Sequence, residues 1–152
     1  MERALFSLSL MALLSLLLAA CGRAATGWDD KVRVTVGNVS LELPTSVVVR
    51  QDTSIDSAAS VFEGSGLMVI VDQGPFADRL DSYAGHPGYR EEVTEIAGMT
   101  GRTITFRSPD GGAYTLAIHI SAPKQVTVVV QADDSVPEWV PRGIIASLQL
   151  LD

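Results

Sequence analysis

The stretch RTITFRSPDGGAYTLAIHISAPKQVTVVVQA, residues 102–132, decides the fold class. Apolar side chains fall on every second position in three consecutive runs. Ile104 and Phe106 carry the first, Tyr114, Leu116, Ile118 and Ile120 the second, and Val126, Val128 and Val130 the third. A period of two sends successive side chains to opposite faces of an extended chain, so each run is a strand with one face on a core. Thr115, Ala117 and His119 then lie on the outward face of the middle strand. Between the first two runs stands Ser108-Pro109-Asp110-Gly111-Gly112. Its proline presets φ and its glycines accept positive φ, so these strands form a hairpin.

Upstream the same period recurs. Val32, Val34 and Val36 alternate with Arg33 and Thr35, and Val39, Leu41 and Leu43 with Ser40 and Glu42, with Gly37-Asn38 as a tight turn between them. Pro44 ends the second run and Val47 to Val49 begins a short extended piece, before a polar, turn-like stretch over 51–57. Ala58 to Phe62 and Leu67 to Val71 are strands around Glu63-Gly64-Ser65-Gly66. The second of these is apolar on both faces, which places it centrally in a sheet.

Two segments change period. Phe76, Leu80 and Tyr83 fall at i, i+4 and i+7 behind Pro75, which predicts a short amphipathic helix over 75–83. Residues 84–88 are a loop, and Tyr89 to Ile96 reads equally as strand or irregular chain. Val136, Val140, Ile144 and Leu148 recur every four residues and predict a terminal helix. Ser135 and Glu138 have capping-box spacing, yet Pro141 lacks an N–H and sets a competing start. The expected class is α+β: an antiparallel sheet with one short central helix and a C-terminal helix packed on it.

The first twenty residues have the form of an export signal. Arg3 and the amino terminus are positive, Ala4 to Leu18 is apolar apart from Ser7, Ser9 and Ser15, and Ala19-Ala20 precede Cys21. Leu18-Ala19-Ala20-Cys21 resembles the lipobox of bacterial lipoproteins. That resemblance implies cleavage before Cys21, a diacylglyceryl thioether on its sulfur and, usually, acylation of the new amino terminus. Cys21 is the only cysteine, so no disulfide can form within the chain, and lipidation would consume the odd thiol. Two or three acyl chains, at roughly 0.8 kcal/mol per buried CH₂, anchor stably where one does not. Gly22, where an aspartate tends to retain lipoproteins at the inner membrane, favours the outer membrane over the inner. The expected organisation is a signal over 1–20, a lipidated linker over 21–29 and one globular domain over 30–152, facing the periplasm.

In a chain of 152 residues that leaves about 130 for the mature protein, enough for one core without disulfide staples. The leader carries one charge of each sign, so the net charge of −7 belongs to the domain. That acidity argues against nucleic acid and against docking of the bare domain on anionic lipid. Leu41-Glu42-Leu43-Pro44, Ile96-Ala97-Gly98 and Ile144-Ile145-Ala146-Ser147-Leu148, in this element order, resemble the PsbP-like α/β sandwich of small DcrB-like bacterial lipoproteins over most of residues 30–150. The resemblance implies a sheet with helices packed on it and a binding or assembly role, and transfers no site residues.

No catalytic constellation emerges from the residues. His86 lies in a Gly-His-Pro-Gly loop and His119 on a strand, without the spaced ligand pairs of a zinc site. Ser65 lacks the glycine spacing of a nucleophile elbow. Asp29-Asp30, Glu91-Glu92-Glu95 and Asp133-Asp134 read as solvated acids, without calcium-loop spacing or the aromatic set of a glycoside cleft. Gly98 and Gly101 read as turn or bulge glycines, and Trp139 as a partly buried helix residue. No metal, cofactor or catalytic residue is expected. The leading expectation is a non-enzymatic envelope lipoprotein that binds another envelope or periplasmic protein or supports an assembly. An immunity protein against a secreted toxin, a carrier of lipid or a small apolar ligand, and a hydrolase remain open.

Overall fold

The computed structural model describes residues 27–50, 59–110, 112–121 and 123–152. The expected signal segment, the lipobox-like motif and Cys21 lie outside them. Among the described residues no helix is long and apolar enough to cross a membrane.

The strands are β1 (Lys31–Val36), β2 (Val39–Pro44), β3 (Val48–Arg50), β4 (Ser60–Gly64), β5 (Leu67–Gln73), β6 (Arg90–Ile96), β7 (Met99–Arg107), β8 (Tyr114–Ile120) and β9 (Val126–Ala132). Helix α1 (Trp139–Ala146) and the two-residue β10 (Gln149–Leu150) close the chain. An antiparallel sheet of order β3-β4-β5-β9-β8-β7-β6 holds most of them, and β1-β2-β10 form a second, three-stranded sheet. The α+β class expected from the patterning is the one observed, and β5, apolar on both faces, pairs on both sides.

Register shows why alternation was so regular. Leu116 pairs with Val130, Ile118 with Val128 and Ile120 with Val126, while Val69 and Val71 meet Val130 and Val128 from the other side. Cross-strand partners share a face, so these side chains make one apolar floor. Val39, Leu41 and Leu43 of β2 and Val140, Ile144, Ile145 and Leu148 at α1 complete that core, with Trp28 packed against it. Each such side chain withdrawn from water contributes roughly 1.5–3 kcal/mol. Polar staples hold the layers. Gln73 donates to the Val36 carbonyl (2.8 Å) and accepts from the Asn38 N–H (3.1 Å), fixing the β1–β2 turn on β5. Ser147, at the end of α1, accepts from the Glu42 N–H (2.8 Å) and donates to the Ile144 carbonyl (2.7 Å).

Pro141 occupies the third residue of α1. N–H groups in a first turn have no partner within the helix, so its missing donor costs nothing there. The capping box does not form: Glu138 precedes the helix without a side-chain cap, and Ser135 bonds to Asp133.

The opposite face of the large sheet is also covered, which the alternation did not foretell. Ile104, Phe106, Ala117 and Val129 form a second core under residues 74–89, sealed by Leu80. The amphipathic helix expected over 75–83 is realised only as a 3-10 turn, Asp81–Tyr83. Two causes are visible. The Asp78 carboxylate takes the Leu80 N–H (2.8 Å), a local bond that competes with the helix. Leu80 itself has φ +64°, the left-handed region, where an α-helix cannot continue. Phe76, expected on the apolar face of that helix, is 84% exposed.

Candidate functional site

Most of the titratable residues singled out in the sequence are engaged in structure, Glu92 and Glu95 excepted. His119, expected outward and solvated, is instead buried beneath the 74–89 segment. Thr127 faces it across β8–β9 and donates its hydroxyl to the Asp78 carbonyl (2.6 Å). The Thr127 oxygen therefore accepts from His119 Nδ1 at 2.8 Å. Burial first, and the Arg79 and Arg102 charges in addition, hold the His119 pKa below its ordinary value. His86 sits in its loop with Nδ1 3.2 Å from the Tyr83 carbonyl, and its ring packs on Tyr83 and Phe106. Among the described residues neither histidine meets a serine in a nucleophile–base pair, and Ser65 stands in the β4–β5 turn at φ +50°.

The acids are distributed in the same way. Glu91 accepts from Arg102 Nε (2.8 Å) and from the Tyr89 hydroxyl (2.6 Å), and Arg102 also reaches Asp81 and the Arg79 carbonyl. Hydrogen bonds from Arg102 and Tyr89 hold the Glu91 pKa below the usual carboxylate range. Asp133 organises the turn before α1 through the Ser135 N–H (2.8 Å), and Asp134 pairs with Arg107 (3.0 Å). Asp30 accepts from Thr45 through its carbonyl. Among the described residues no three of His, Cys, Asp and Glu converge on a point that would hold a metal. Gly98 closes the β6–β7 turn at φ +75°, with Ala97 also left-handed at +55°. Gly101 is a packing glycine: a Cβ there would stand 2.7 Å from Ile118 Cδ1. Trp139 is 46% exposed.

What the structure does assemble is a groove. Helix α1 packs over β8, β9 and β2, and leaves β6 and β7 projecting beside it. Along that flank lie three cavities of about 390, 340 and 230 Å³, and Arg142 of α1 lines all of them. The first lies toward Arg107, Tyr114 and Pro141. The second has an apolar lining of Ile96, Leu116, Ile145 and Ala146 with Glu92 and Glu95 at its border. The smallest joins them through Arg90, Thr103 and Thr105.

Two hydroxyls under this groove have no partner among the described residues. Thr103, only 4% exposed, leaves Oγ1 unbonded, and so does Tyr114 with its phenol oxygen. A buried polar group without a partner costs about 1–3 kcal/mol, and two beside one groove leave bonding capacity for an arriving ligand. Burial pushes the Tyr114 pKa up, so its hydroxyl stays protonated and can donate. Arg142 is tethered to Glu138 through one nitrogen (3.1 Å), which leaves its other donors uncommitted among the described residues. A cavity of about 650 Å³ beside β3 is larger, but it is a shallow surface next to residues 51–58, outside the described set.

A scan of protein-family models finds no match for the chain, and a search of curated proteins finds none either.

Proposed function

We propose that the chain is a lipid-anchored envelope protein whose domain is a non-catalytic binding module. Its anchor would be a lipidated Cys21, in the periplasm and at the outer membrane in preference to the inner, and the groove between α1 and β6–β7 would receive another protein. The lipobox-like Leu18-Ala19-Ala20-Cys21 supports the anchor. The observation that carries the binding role is the groove itself: contiguous cavities bridged by Arg142, with the Thr103 and Tyr114 hydroxyls unpartnered beside them. Asn38, Asp72 and Thr115 also hold unpartnered buried atoms among the described residues, and it is the coincidence of two such hydroxyls with one groove, where a ligand would relieve them, that supports the reading. The histidines and most of the acids serve the fold, which leaves no nucleophile–base pair for hydrolysis among the described residues.

Photo-crosslinking in intact cells tests this. A benzophenone side chain at Ala146, exposed on the groove wall, should give one discrete protein adduct, and the same group at Val32 on the far sheet should not. Absence of an adduct from Ala146, or an identical adduct pattern from both sites, would contradict the reading.

A further inference from the structure

We propose that the outer edge of β6 takes an extended segment of a basic partner protein as an additional strand, with a side chain of that segment entering the cavity under α1. The proposal rests on the binding-module reading above and names the partner's chemistry.

β6 is the terminal strand of the large sheet, paired with β7 along all seven residues from Arg90 to Ile96. Alternate N–H and C=O groups of such a strand point away from its one neighbour and are open to another chain. Proteins commonly blunt edges with charge, and β6 carries Arg90, Glu91, Glu92 and Glu95. Simple shielding does not account for the whole arrangement. Val93, at the strand's centre, is 76% exposed and offers an apolar contact. Arg90, Glu92, Thr94 and Ile96 share the face that turns toward α1, as their partners Thr105, Thr103, Gly101 and Met99 show. The 340 Å³ cavity begins at three of those four residues and runs under Ile145 and Ala146. Beside it lies the nine-tenths-buried Thr103 with its free hydroxyl.

Charge selects the occupant. Glu91 is committed to Arg102 and Tyr89. Glu95 makes no ion pair among the described residues, and Glu92 feels the Arg142 charge without pairing to it. Two uncommitted carboxylates on an edge of a chain with net charge −7 favour lysine or arginine opposite them. A second copy of the chain is a poor occupant. Antiparallel pairing about Val93 sets Glu91 against Glu95 twice, and pairing about Glu91 or Glu92 sets that glutamate against itself. Directly opposed like charges destabilise a strand pair. The recognition mode is strand addition, in which main-chain bonds supply affinity and alternate side chains supply specificity.

The test uses the full lipidated chain in detergent and a fluorescent lysine–valine octapeptide with its lysines three residues apart, the spacing of Glu92 and Glu95 on the two faces of β6. The expected result is binding at least tenfold tighter than that of the glutamate–valine counterpart. The double variant E92K/E95K, changed only at exposed positions, should lose tenfold or more. A fully N-methylated lysine–valine peptide, which keeps the charge but not the main-chain donors, should lose as much. Hydrogen exchange should slow in the 89–98 segment and not in β3. Equal binding of both peptides, unchanged binding by E92K/E95K, or retained affinity of the N-methylated peptide would overturn the proposal. If the Ala146 photo-adduct forms equally in the wild type and E92K/E95K, the binding module stands and the β6 assignment falls. If it forms in neither while the peptide results hold, the fault lies with the groove as a site in the cell.

Discussion

Replacing Leu80 by alanine tests the least expected feature of the fold, the sealing of the sheet's second face. Leu80 is fully buried against Ile104, Phe106, Ala117 and Val129, although its backbone sits at φ +64°. Leu80→Ala removes three buried carbons, a transfer loss of about 2 kcal/mol at roughly 0.8 kcal/mol per methylene. The cavity left behind raises the cost to about 3–4 kcal/mol if the segment stays docked. Leu80→Gly separates side chain from backbone. It removes one more carbon and loosens the unfolded chain, but it relieves a left-handed conformation worth about 1–2 kcal/mol to any other residue. The two variants should therefore match within about 0.5 kcal/mol. Urea unfolding followed by tryptophan fluorescence gives both numbers, and hydrogen exchange over 74–89 reports whether the segment stays docked. A Leu80→Ala cost under about 0.5 kcal/mol would refute the second core. A glycine variant clearly weaker than the alanine variant would refute the backbone conformation.

Burial and close packing elsewhere in the fold set three further outcomes. Burial lowers the His119 pKa from its ordinary 6.5, so the folded state binds fewer protons than the unfolded state once pH drops below that value. The stability tied to His119 is therefore complete above pH 6.5 and erodes as pH falls through it toward the folded pKa. In urea titrations between pH 7.5 and 5.5, His119→Gln should lose less stability than the wild type, and parallel curves would count against it. At Gly64 an added Cβ would stand 2.2 Å from the Ser46 carbonyl oxygen, a backbone atom, so Gly64→Ala should destabilise by about 2–4 kcal/mol in urea. At Gly143 in α1 the nearest atom is Lys31 Nζ at 3.8 Å, and Gly143→Ala should raise stability by about 0.5–1 kcal/mol, read as an upward shift in melting temperature.

The legible parts of this fold were those where burial repeats along the chain. In β8 and β9 every second side chain enters the core under α1, and in β7 Ile104 and Phe106 enter the core on the other face, so the period stands in the sequence although the face it marks does not. β6 was ambiguous because five of its seven residues are exposed, so neither face leaves an apolar period. The 75–83 segment misled for a different reason. Its helical spacing is real, but Leu80 reaches the second core through a left-handed turn held by Asp78, and periodicity does not encode that local competition. His119 looked solvated because a sheet covered on one side was assumed, and the covering segment, around Asp78 and Leu80, comes from far earlier in the chain. The groove was not legible at all. Its polar groups, Thr103, Tyr114 and Arg142, come from two strands and a helix, and only the placement of α1 brings them to one flank. One signal was available: Tyr114 heads a strand face otherwise filled by Leu116, Ile118 and Ile120, and the β7 face opposite it is polar, with Thr103, Thr105 and Arg107.

The proposed anchor would hold this domain on a short tether at a membrane, and the mature amino terminus tests that most directly. Intact mass spectrometry of protein extracted from cell envelopes should find a chain starting at Cys21, heavier than its sequence by a diacylglyceryl group and usually a further acyl chain, with a Cys21→Ser variant carrying neither. A chain still beginning at Met1, with the Cys21 thiol open to alkylation, would contradict the account.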